Sequence, residues 1–121
     1  MYIQNNTRGT QKMLKDYIIK NNGATINKFG KITQLKTGYQ VSKRDLGRIT
    51  IDDFTEQMIQ DIISYGLKRG EYAGFWIENG FIYVDISIRI ATKKQAIIQG
   101  NILSQIAIWD WHNNQNIYCN K

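Results

Sequence analysis

A chain of 121 residues suffices for one domain with a real core and not for two. Hydrophobic residues make up 42% and charged residues 21%, which excludes wholesale disorder, and no apolar run approaches the roughly 18 residues of a membrane span. The net charge of +6 is uneven: residues 1–48 hold ten Lys and Arg against Asp16 and Asp45, a net of +8, whereas six against eight leave −2 in the remainder.

The opening MYIQNNTRGTQKMLKDY has no signal-peptide core. The single cysteine, Cys119, rules out an internal disulfide framework and fits a reducing compartment, so a cytoplasmic protein is expected. Met13, Leu14, Tyr17 and Ile18 recur at helical spacing, which predicts a first helix from Thr10 to Asn22 with Gly23 just past its end. From Ala24 to Lys36 the pattern weakens and reads as irregular. Tyr39 and Val41, a charged turn over Lys43 to Gly47, then Ile49 and Ile51 alternating with Arg48 and Thr50 predict a hairpin. Asp53 followed by Glu56 reads as a capping box opening a helix from Phe54 to Leu67, with Met58, Ile59, Ile62 and Ile63 on its apolar stripe.

Asn79-Gly80 is the strongest turn signal in the chain, because a type I′ turn needs positive φ at both central residues. Its register sets Trp76 opposite Tyr83, Phe75 opposite Val84 and Gly74 opposite Asp85. One face of the hairpin then holds Ala73, Phe75, Ile77, Ile82, Val84, Ile86 and Ile88 and must face the core. The other face holds Tyr72, Trp76, Glu78, Phe81, Tyr83, Asp85, Ser87 and Arg89. Thr92 and Gln95 cap a third helix through Ala96, Ile97 and Leu103, weakened by Gly100. The segment IAIWDW, a turn HNNQ and NIYC predict a last strand pair. The expectation is a single α+β domain over 1–121, basic over 1–48, with an antiparallel sheet built from hairpins and about three helices packed mainly on one face.

Catalytic patterns are sparse. His112 and Cys119 are the only imidazole and thiol, too few for a zinc site and too isolated for a Cys-His nucleophile. No phosphate-binding glycine motif occurs, and no cofactor is implied. Asp85 and Asp110, both on strands, are the pair from which a metal-dependent nuclease would be built, with Asp52 and Asp53 as added ligands. Against these stands the surplus aromatic face, where Trp76, Phe81 and Tyr83 with Asp85 and Arg89 are candidate partner-binding residues, or else a second buried layer. Lys12, Lys15, Lys20, Lys28, Lys31 and Lys36 are the candidate nucleic-acid contacts of the basic part.

From Gly38 to Ile117 the succession GYQV, IDDFT, FWIENGFIYVDIS, ATKKQAI and SQIAIWDW resembles a family of small proteins from phages and other mobile elements. The family has no assigned activity, so the resemblance implies an α+β fold and a genomic setting and transfers no catalytic residue. Small mobile-element proteins of this kind often occupy host or defence proteins, anti-CRISPR proteins among them. Three readings follow: a non-catalytic protein that binds a host nucleoprotein or defence protein, a direct DNA- or RNA-binding protein using the basic half, and a small metal-dependent nuclease. None involves a membrane.

Overall fold

The computed structural model describes residues 14–119. Residues 14–20 are helical (α1) and turn Leu14 and Ile18, four apart and therefore on one face, into the core. The expected start at Thr10 lies outside the described residues. The end differs from expectation. Asn22, at φ +59°, takes the left-handed position, and Gly23 opens strand β1 (Gly23–Asn27). Gly23 is required for a close approach instead, since a Cβ there would collide with the carbonyl oxygen of Phe75. The sequence pattern hides β1 because only Ile26 in it is fully buried, so no alternation shows.

Among the described residues the hairpin expected over residues 39–51 does not form. Tyr39–Thr50 runs as one long strand, β2, straight through the charged stretch where a turn is expected. Two register shifts, between Ser42 and Arg44 and between Asp45 and Gly47, absorb extra residues without reversing the chain. The second is held by Gly47 at φ +92°, whose N–H donates to Asp45 Oδ1 at 2.8 Å.

A 3-10 turn over Ile51–Asp53 leads to α2 (Glu56–Asp61), which continues as a π-helical turn over Ile62–Gly66. Its cap is Thr55, whose Oγ1 accepts the Met58 N–H at 3.2 Å. Asp53, the expected cap, instead accepts from Thr50 Oγ1 at 3.0 Å, one turn too early to reach the helix. Strands β3 (Glu71–Glu78) and β4 (Phe81–Ile90) form the hairpin around Asn79 and Gly80, at φ +53° and +82°, with the expected register from Glu78 opposite Phe81 to Gly74 opposite Asp85. Thr92 caps α3 (Lys93–Ile102) by accepting the Gln95 N–H at 3.4 Å. Gly100 weakens that helix locally but lets it approach closely, as a Cβ there would stand 2.7 Å from Cys119 Sγ and 3.0 Å from Ile108. Strands β5 (Ala107–Asp110) and β6 (Gln115–Tyr118) follow as a hairpin.

All the strands join one antiparallel sheet in the order β1-β3-β4-β2-β5-β6. Ile82, Val84, Ile86, Ile88 and Ile90 share one face of β4 by the period of two. Ile82 and Val84 meet Leu14 and Ile18 of α1 with Ile59 and Ile63 of the second helix. Farther along, Ile88 and Ile90 pack against the cluster of Val41, Ala96 and Ile108 beneath α3. The three described helices therefore lie on one side of the sheet, the α+β arrangement expected, and among the described residues no helix packs on the other. No described helix is long and apolar enough to cross a membrane.

Candidate binding face

The side that no described helix covers is furnished by the odd-numbered residues of β4 and their partners. Trp76 and Tyr83 are directly opposed, and their rings stack at 5.3 Å between centroids with 12° between planes. On the other side of β4, Arg48 of β2 is opposed to Tyr83. Its guanidinium lies 4.1 Å from the Phe81 ring centroid and Nη1 donates to the Tyr83 hydroxyl at 3.3 Å. Three strands thus contribute a continuous surface of Trp76, Tyr83, Phe81 and Arg48. Trp76 is 40% exposed, Phe81 and Tyr83 are half-buried, and Arg48 is exposed.

Next along β4, Asp85 lies across Gly74, and a Cβ at that glycine would collide with the carboxylate. Burial pushes the Asp85 carboxyl up to about 6, with the Ser42 hydroxyl working against this and the charge of Asp45 adding to it. Beyond it, Trp111 Nε1 donates to Gln40 Oε1 at 2.9 Å, and Gln40 Nε2 donates to Ser87 Oγ, a polar chain from the turn after β5 across β2 to β4. Trp109 stands edge-on to Trp111 at 6.3 Å and 86°. Arg89 has the most structural employment of the expected partner-binding set: Nε donates to the Thr37 carbonyl at 3.0 Å and Nη2 to Thr37 Oγ1 at 3.1 Å, pinning the loop that enters β2.

The described members of the expected basic set lie on separate elements. Lys12 lies outside the described residues. Lys15 is half-buried on α1, its backbone N–H donating to Glu56 Oε1 at 2.8 Å, and Lys20 is exposed at the end of that helix. Lys28 and Lys31 lie past the opposite end of β1, which sets them about 15 Å from Lys20 by strand rise. Lys36 lines an open cleft with Trp111 and His112, on the far side of β2. Lys28 is brought instead beside Arg69 and Tyr72, with the exposed ring of Phe29.

The acidic pair is split. Asp85 is on the open face, whereas Asp110 has the parity of Ile108 on the helix side and is 2% exposed. Asn113 Nδ2 donates to Asp110 Oδ2 at 2.8 Å, foremost among the contacts that hold its carboxyl below the usual range, and the His112 and Asn113 N–H groups share Oδ1. Those two carboxylates cannot clasp one ion, and Asp53 is engaged by Thr50.

Arg48 and Gln40 belong to this face without having been singled out from sequence. The alternation of Arg48 and Thr50 with Ile49 is the signal that could have placed Arg48 here. Comparison with known proteins finds no matching family model, no matching curated protein and no matching solved structure.

Proposed function

We propose that this chain is a non-catalytic binding protein whose open sheet face docks on a partner protein. The setting we favour is that of a mobile-element accessory factor that occupies a host nucleoprotein or defence protein, in the manner of an anti-CRISPR inhibitor. The observation that carries the reading is the Trp76 ring, stacked on half-buried Tyr83 and itself exposed on a sheet face that no described helix covers. Aromatic and arginine side chains grouped in this way are the usual anchors of protein interfaces.

Charge favours a protein over a polyanion at this face. The chain is basic overall, yet Glu78, Asp85 and neighbouring Asp45 accompany Arg48 and Arg89 here, so among the described residues this surface has no cationic excess. A polyanion would be repelled by the acids that a protein surface can pair. The mobile-element setting rests on the resemblance of Gly38–Ile117 and on the sparse catalytic chemistry.

The test is capture from a host lysate with wild type and Trp76→Ala as paired baits. The reading requires a stoichiometric protein partner that survives moderate salt and is lost with Trp76→Ala while that variant still melts cooperatively near the wild-type temperature. Retention of the same partner by folded Trp76→Ala would refute docking through this face.

A further inference from the structure

At the end of β1 and β3 remote from Trp76, the sheet carries a second feature. The turn following β1 and the segment leading into β3 face each other across a shallow open cleft of about 470 Å³, lined by Asn27, Lys28, Phe29, Arg69 and Tyr72 among others. That volume is in the range of sites for small organic ligands. The turn is well built: Asn27 Oδ1 accepts the N–H groups of Phe29 at 2.9 Å and Lys31 at 3.1 Å, and the Asn27 N–H donates to the Lys31 carbonyl at 2.9 Å. Its consequence is that Phe29 is held outward, 76% exposed, with Lys28 Nζ 5.5 Å from the ring centroid. An aromatic ring presented this way by a hydrogen-bonded turn contributes nothing to the core.

The electrostatics of the cleft follow from which charges are already matched. Glu71 is the one acid in its wall, and it is 6% exposed. Lys43 Nζ donates to its Oε2 at 2.7 Å and the Lys68 N–H to its Oε1 at 2.6 Å, so both oxygens point inward and are satisfied. Lys28 and Arg69 make no ion pair with an acid among the described residues. Two cations, an outward phenyl ring and the Tyr72 ring therefore set the chemistry of this cleft.

We infer that the cleft at the β1–β3 end binds unpaired nucleic acid, with Lys28 and Arg69 on backbone phosphate and the Phe29 and Tyr72 rings on a base. Cations that follow a backbone beside aromatic rings that take base faces are how single strands are held without sequence reading. A duplex keeps its bases stacked inside and offers the rings nothing. The inference is independent of the Trp76–Tyr83 cluster: it uses the other end of β3 and different residues, and it holds whether or not a protein docks at Trp76.

The experiment is fluorescence anisotropy of a short labelled oligothymidylate, and of a duplex of equal length, titrated with the full chain at several salt concentrations. The wild type binds the single strand below about 100 µM at low salt, with affinity falling as salt rises by about 0.7 in the logarithmic slope per phosphate contact. Lys28→Glu and Arg69→Glu each lower that affinity about tenfold or more and flatten the slope. Phe29→Ala, at an exposed position, weakens single-strand binding by about five- to 150-fold and leaves the slope and the duplex affinity unchanged. Trp76→Ala binds the oligonucleotide like wild type, which separates this site from the docking face. The inference is overturned by no binding at that concentration, by affinity and slope unchanged in Lys28→Glu and Arg69→Glu, by a preference for the duplex, or by loss on Trp76→Ala alone. An acidic peptide that binds Lys28 and Arg69 where the oligonucleotide does not would equally overturn it.

Discussion

Ile82 and Tyr83 are consecutive residues of β4, and they face different media. Ile82 is fully buried against the helices, while Tyr83 looks out from the opposite face, stacked on the ring of Trp76 and accepting a hydrogen bond from Arg48. The period of two supplies both faces from the same strands, so what separates them is the side chains each carries. On the helix side the charge of Glu71 is drawn in and matched: burial works to raise its carboxyl, but the hydrogen bonds from Lys43 and the Lys68 N–H outweigh it and hold the carboxyl below its ordinary value. On the open side burial prevails at Asp85, with Gly74 leaving space for the carboxylate and, among the described residues, no cation against it to offset the loss of water. A face that keeps Glu78, Asp85 and Arg48 among its aromatics is costly to bury dry, and it suits a partner whose own groups meet those charges.

The sharpest way to break this comparison is to truncate the helix side. Ile82→Ala is expected to destabilise by about 2–4 kcal/mol and Val84→Ala by about 1–3 kcal/mol, the transfer and cavity costs of buried aliphatic groups. Denaturant midpoints equal to wild type for both would mean that the faces are assigned the wrong way round.

Asp85→Asn tests the other side through pH. The folded carboxyl sits at about 6 against an ordinary 3.8, so the native state binds its proton more tightly than the unfolded chain. Stability from this group is therefore complete below about 3.8, falls as pH rises through about 6, and is flat above. That interval corresponds to roughly 3 kcal/mol at full burial, and partial exposure trims it to about 1–2 kcal/mol. Asp85→Asn should raise the melting temperature at pH 8 and leave it nearly unchanged at pH 4. An equal shift at both values would show that the carboxylate is not desolvated.

How much of this was legible in the sequence follows the range of the interactions. Asn79-Gly80 specifies a turn from two adjacent residues, so the register from Glu78–Phe81 to Gly74–Asp85 could be read directly, and with it the two faces of the hairpin. β2 could not be read this way. Its charged middle resembles a turn, and only pairing with distant β4 keeps it extended through two bulges. The Asp53 signal loses to Thr55 because capping depends on where the chain turns inward, and Phe54, buried between them, delays that turn. Neighbours such as Lys28 and Arg69 come from opposite charge halves of the chain and leave no local mark at all.

A smaller effect is expected at Arg48. Its contact with the Phe81 ring and the Tyr83 hydroxyl is made at an exposed site, where cation–π attraction contributes about 0.5–1 kcal/mol. Arg48→Ala should therefore cost no more than about 1 kcal/mol in urea unfolding while weakening partner capture. A loss of several kcal/mol would mark Arg48 as a structural brace of the sheet.

The account rests most heavily on the claim that the aromatic face is a working surface and not a second core, and equilibrium unfolding of Trp76→Ala tests this most directly. A ring that is 40% exposed and stacked on Tyr83 should cost no more than about 2 kcal/mol when removed, the sum of its partial area burial and the stacked pair, with an unchanged denaturant dependence. A loss of about 3–5 kcal/mol, the cost of emptying a buried aromatic site, would contradict the account and make packing the purpose of that face.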